Sequence, residues 1–87
     1  MIIPFNVWSK ERIVQGRKFC TSRHKKYGQD KRVAWITPAL SWGFIKKYFW
    51  QLEGANSPEE LQEVIESIYH RKVEDTEMFY IHFGEFK

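Results

Sequence analysis

Gly16-Arg17-Lys18-Phe19-Cys20-Thr21-Ser22-Arg23 packs three cations, two hydroxyls and the one cysteine of the chain behind a glycine. Extended backbone over Lys18–Ser22 sets Lys18, Cys20 and Ser22 on one face and Phe19, Thr21 and Arg23 on the other. A long cation and a hydroxyl three positions apart converge where a strand twists or bulges. A lysine beside a hydroxyl forms an acid/base and nucleophile pair when burial or neighbouring cations lower the amine's pKa. Lysine and threonine are also commonplace on surface strands, so the spacing alone does not choose between the two.

Working outward, Ser9 is placed to cap a helix over Lys10–Gln15, with Ile13 and Val14 facing inward and Gly16 at the stop position. Upstream, Ile2–Phe5 reads as a short strand with Pro4 at an edge. Downstream, His24–Lys31 is a polar loop around Gly28. Arg32–Thr37 reads as a strand, with Val33 and Trp35 on one face, Ala34 and Ile36 on the other, and Pro38 ending it. Ser41–Glu53 has helical spacing, with a stripe of Trp42, Ile45, Phe49 and Leu52 and a stop at Gly54. Tyr48 and Trp50 fall off that stripe and either pack on a neighbouring helix or stack a base; packing is the reading adopted. Ser57-Pro58-Glu59-Glu60 combines an N-cap, a proline in the first turn and a capping-box glutamate. The helix it opens runs to about Tyr69 and buries Leu61, Val64, Ile65 and Ile68. Met78–Phe83 alternates as a strand, with Phe79, Ile81 and Phe83 inward and Tyr80 and His82 outward. The predicted order β-α-β-β-α-α-β makes residues 1–87 a single α+β domain with mostly antiparallel strands.

Aromatic residues make up 17% of the 87 residues, enough ring area to offset the small buried fraction of a short chain. No apolar run approaches the roughly 20 residues of a membrane span, so no membrane partner is expected. Met1-Ile2-Ile3-Pro4-Phe5 lacks the pattern of a signal peptide. The lone Cys20 forms no internal disulfide and reads as a small core residue. The expectation is a soluble, cytoplasmic, reduced protein. His24, His70 and His82 lack ligand spacing, so neither a metal nor a cofactor is expected, and His82 reads as a solvated surface histidine. Charge is more informative. Residues 1–47 carry eleven Lys/Arg against two acids, and residues 48–87 carry three against nine. Seven cations, Arg17, Lys18, Arg23, Lys25, Lys26, Lys31 and Arg32, crowd one stretch, which points to a polyanionic partner.

At Gly16, Lys18 and Arg23 the chain resembles the ASCH domain family of the PUA-like superfamily, whose signature is Gly-x-Lys-x-x-x-x-Arg after a short helix. The opening Ile3-Pro4-Phe5-Asn6, the block Glu53-Gly54 followed by Ser57-Pro58-Glu59-Glu60, and the terminal Phe79-Tyr80-Ile81-His82-Phe83 extend the likeness in the same order. The resemblance implies a small PUA-like β-barrel with flanking helices around a basic cleft. The family's Gly-Asp appears here as Gly28-Gln29-Asp30. The stretch between Ile36 and Trp42 is short for the strand pair of longer members, which predicts an abbreviated or open barrel.

For function, the resemblance implies RNA or a modified nucleoside as partner, and the crowding of cations assigns Arg17, Lys18, Arg23, Lys25 and Lys26 to its binding. This is the leading expectation. One branch of the family looks like an amidohydrolase of N4-acetylcytidine that uses a Lys, a Thr and a Glu. Lys18 and Thr21 match the first two, and Glu53 is the candidate third, aligned with a one-residue insertion before the capped helix. In those roles Lys18 accepts the proton of Thr21, Thr21 attacks the acetyl carbonyl and Glu53 protonates the leaving amine. The plainer reading of Glu53 is a solvated carboxylate at a helix end, where it opposes the helix dipole. A protein-interaction module with an acidic C-terminal helix is the third class. The sequence leaves the oligomeric state open.

Overall fold

The structure is a computed structural model and describes residues 2–86. Asn6, rather than Ser9, opens the first helix, α1 (Val7–Val14), by accepting the Ser9 amide on its side chain at 2.9 Å. The helix therefore starts three residues before the predicted Lys10. Ile13 is buried, but Val14, one step around the helix, is exposed. Gly16, at φ +72°, closes the helix: its amide donates to Ile13 at 3.0 Å and the Arg17 amide to Arg12 at 2.8 Å. From this turn the chain runs through Lys18 into β1 (Cys20–Arg23).

The remaining elements are β2 (Val33–Ile36), β3 (Leu40–Ser41), α2 (Trp42–Phe49), α3 (Pro58–Tyr69) and β4 (Met78–Gly84). The fold is α+β, with three helices and an open four-stranded antiparallel sheet. β4 is its centre, and β1, β2 and β3 all pair with it. Thr21 and Ile36 flank His82 from the two sides. A bulge between Val33 and Trp35 breaks the predicted alternation of β2 and leaves Trp35 exposed, stacked on Phe83. Leu40 and Ser41 pair with Phe79 and Met78, a short strand absent from the sequence reading. Pro38, which cannot donate, sits between β2 and β3. Thr37 bridges the gap: its amide donates to Ile81 and its hydroxyl accepts the Ile81 amide.

Residues 2–5 form no strand. Side chains hold this segment instead: Asp30 accepts the Ile3 amide at 2.9 Å, Arg32 donates to the Ile3 carbonyl at 3.0 Å and Arg23 to the Pro4 carbonyl at 2.8 Å. α2 stops at Phe49, and residues 50–54 turn back rather than completing the predicted helix to Glu53. Leu52 leaves the stripe and uses its carbonyl to accept the Phe19 amide at 2.8 Å, which ties this turn to the entrance of β1. α3 begins as predicted, with Ser57 accepting the Glu60 amide, but the Glu60 carboxylate reaches back to the Asn56 amide rather than to that of Ser57.

Trp42, Ile45, Leu61, Ile65, Phe79 and Ile81 fill the main core between the sheet and the helices α2 and α3, and Cys20 joins them. A smaller cluster of Ile3, Ile13 and Phe86 packs beside it. Among the described residues, no helix is long and apolar enough to cross a membrane.

Candidate active site

Lys18 enters from the turn after α1, and Glu53 from the turn after α2. Their side chains meet inside the fold. The Lys18 ammonium lies 3.2 Å from Glu53 Oε1 and donates to the Glu53 carbonyl at 3.1 Å, with both residues buried. The other carboxylate oxygen, Oε2, accepts the Ser22 hydroxyl at 2.5 Å. Glu53 is thus not the solvated helix-end carboxylate of the plainer expectation, because α2 ends before it and the turn carries it inward. Trp8 of α1 lies under this group, its ring centroid 5.8 Å from Lys18 Nζ and 4.6 Å from the Arg12 guanidinium.

Thr21 is also buried, but its hydroxyl belongs to a different contact. Arg23 Nη1 donates to Thr21 Oγ1 at 2.6 Å and to the Ser22 carbonyl at 2.8 Å. Arg23 therefore spans from the strand to the N-terminal segment at Pro4, with the Phe5 ring 5.5 Å away. Burial pulls its pKa down, and the Glu53 charge is the foremost influence pulling it back up. Lys18, Thr21, Ser22, Arg23 and Glu53 share one crevice with Trp8 and α3, and its volume is about 10 Å³, the space of about one water. A groove of about 370 Å³ adjoins it, lined by Pro4, Asn6, Tyr27 and Tyr69, with Arg23 and Ile68 bordering both. Among the described residues, no buried side-chain nitrogen or oxygen lacks a hydrogen-bond partner.

The other sequence-derived cations are dispersed. Arg17 donates to Asn56 at 2.5 Å on the outside of the Gly54 turn. Lys25 and Lys26 are exposed in the loop after β1, Lys26 over the Tyr80 ring at 5.2 Å. Arg32 is held by Asp30, whose pKa the guanidinium pulls far below the usual carboxylate range. Two of the seven cations, Lys18 and Arg32, thus have carboxylate partners close by.

Ser22, Trp8 and His82 went unassigned or misassigned. Ser22 shares a face with Lys18 in the extended backbone expected over Lys18–Ser22, and that alternation is the signal that links it to the carboxylate, although β1 itself begins only at Cys20. His82 is fully buried rather than solvated. Its Nε2 accepts the Tyr27 amide at 2.9 Å, so the ring proton sits on Nδ1, which faces the carbonyls of Tyr80 at 3.0 Å and Thr21 at 3.3 Å. Burial lowers its pKa and keeps it neutral. Cys20 is a core residue; burial, and then the Glu53 charge, push its thiol far up and leave it protonated. His24 stacks on Phe79 at 4.2 Å. Among the described residues, no three metal-ligating side chains cluster.

Comparison with protein-family models, with curated proteins and with solved structures finds no match to this chain.

Proposed function

We propose that the chain is an ASCH-type domain that takes a modified nucleoside and hydrolyses its N-acyl amide, as in N4-acetylcytidine. The carrying observation is the direct 3.2 Å contact of Lys18 with Glu53 inside the fold, with the Thr21 and Ser22 hydroxyls of one strand lining the same crevice. The reaction requires one proton to pass along that contact, leaving a neutral amine and a carboxylic acid. These are the base and the acid that amide cleavage requires. For this step Thr21 Oγ1 must turn from Arg23 Nη1 towards Lys18; it then attacks the acyl carbonyl and gives its proton to the amine. Glu53 protonates the nitrogen as the C–N bond breaks, and water hydrolyses the acyl-threonine ester to release the acid. The adjoining groove falls in the size range of small-molecule sites and suits the nucleoside, with Arg23 at the passage to the crevice. Admitting the acyl group requires Trp8 and α3 to part, since the closed crevice holds about one water. The open four-stranded sheet is compatible with an abbreviated PUA-like barrel.

Binding of RNA or a nucleoside without turnover is the second reading, favoured by the exposed Lys25, Lys26 and Lys31 of one loop. Release of acetate from N4-acetylcytidine decides between them. Hydrolysis is expected, with Thr21→Ala abolishing it and leaving ligand affinity nearly unchanged. Absence of turnover, together with loss of RNA affinity in both Lys18→Ala and Arg23→Ala, would leave a binding site only.

A further inference from the structure

Five aromatic rings away from the Lys18–Glu53 crevice, three of them exposed, form one connected line. On α2, the Tyr48 and Phe44 centroids are 4.8 Å apart, and Phe44 leads to Phe49 at 6.1 Å. Phe49 meets Phe83 of β4 at 6.2 Å, and Phe83 meets Trp35 of β2 at 5.4 Å. Phe49 and Phe83 pack on the core and hold the line in place. Trp35 and Tyr48 are each 59% exposed and Phe44 45%. Trp35 lies nearly parallel to Phe83, at 28°, so protein backs one face of the indole and the other faces outward. The Lys47 ammonium sits 5.3 Å from the Tyr48 centroid.

Charge names the partner. Residues 31–50, which build β2, β3 and α2, contain Lys31, Arg32, Lys46 and Lys47 and no Asp or Glu. Asp30 and Asp75 hold Arg32 and Lys46. Lys31 and Lys47 are exposed and make no ion pair among the described residues. Two-fold self-association would set this acid-free segment against itself, cation towards cation. A duplex offers no free base faces. A single strand offers both flat bases and phosphates, the complement of exposed rings with the Lys47 cation beside them.

We propose that Trp35, Phe44 and Tyr48 form a stacking platform for two or three bases of single-stranded nucleic acid, with Lys47 on its phosphates. The platform goes beyond the hydrolase reading and is independent of it.

The test titrates labelled uridylate and deoxythymidylate oligomers, and a duplex of equal length, against the full chain at about 50 mM salt. Either single strand is expected to bind, and the duplex more weakly. Trp35→Ala and Tyr48→Ala should each weaken binding about tenfold at an unchanged urea midpoint, and Trp35→Phe should restore it. Lys47→Gln should flatten the log–log salt slope by about 0.7. Thr21→Ala should bind the strands as the parent does, so loss of turnover and loss of strand binding are told apart. Three results would overturn the platform: no single-strand binding, binding untouched by both aromatic replacements, or a dimer in sedimentation that Trp35→Ala dissolves.

Discussion

Lys18 and Glu53, 35 residues apart in sequence, are bound twice: the ammonium reaches both the carboxylate and the main-chain carbonyl of the same glutamate. The second bond makes the lysine a clasp on the turn after α2 as well as a counter-charge. Ser22 completes the enclosure by occupying the remaining carboxylate oxygen.

Lys18→Met or Glu53→Leu alone strands one buried charge and is expected to cost about 3–5 kcal/mol. The pair of replacements together should recover a large part of that loss, because two apolar groups leave no unpaired charge. Urea unfolding of the four proteins in a double-mutant cycle measures the coupling. Strict additivity would show that the two groups do not depend on each other.

Stability should fall on mild acidification through His82. Its folded pKa lies below the ordinary 6.5, so the unfolded chain binds the proton more readily. The contribution is complete above about 6.5 and is lost as pH drops through the folded value. Protonation would also turn Nε2 from the acceptor of the Tyr27 amide into a second donor facing it. Urea midpoints between about pH 7.5 and pH 5 should slope downward in the parent and less in His82→Gln.

Two glycines should respond differently to alanine. At Gly16 the positive φ is the only obstacle, since nothing lies within 4 Å of an added Cβ, and a loss of about 1 kcal/mol is expected. At Gly84 the added carbon would stand 1.9 Å from the Arg32 carbonyl oxygen, so backbone must move. Gly84→Ala should therefore destabilise more, and thermal melts of the two variants rank them.

Asp30→Ala should loosen the N-terminal segment specifically. It removes the acceptor of the Ile3 and Arg32 amides and the partner of the Arg32 guanidinium, at an expected cost of about 3 kcal/mol. Hydrogen exchange at Ile3 should accelerate more than at Ile81, whose partner Thr37 is untouched.

Local signals survived into the fold where one segment contained all the physics. Ser57 caps α3, Gly16 ends α1, and Phe79 and Ile81 face the core because the pattern of a few neighbours decides each case. The misreadings needed information from elsewhere in the chain. Alternation turned His82 away from the core, but the loop carrying Tyr27 covers that side of β4. Helical spacing carried α2 to Glu53, but Leu52 is taken by the Phe19 amide and the helix unwinds before it. Charge counting treated Lys18 and Arg32 as spare, since a tally cannot see which carboxylate folds back onto which cation. At the candidate site, alternation put Ser22 beside Lys18, while Glu53 entered only through family likeness.

The central place of β4 has a consequence for how the chain is made. Its three partner strands all precede it in sequence and none pairs with another. On a ribosome adding about 5–20 residues per second, β1, β2 and β3 would emerge with their ladder groups open and wait for residues 78–84. Helices α1 and α3, whose bonds are local, can form during that wait; the sheet cannot. Nascent chains halted before Met78 should thus be helical, sheet-free and protease-sensitive, and should acquire resistance in one step once β4 has cleared the exit tunnel.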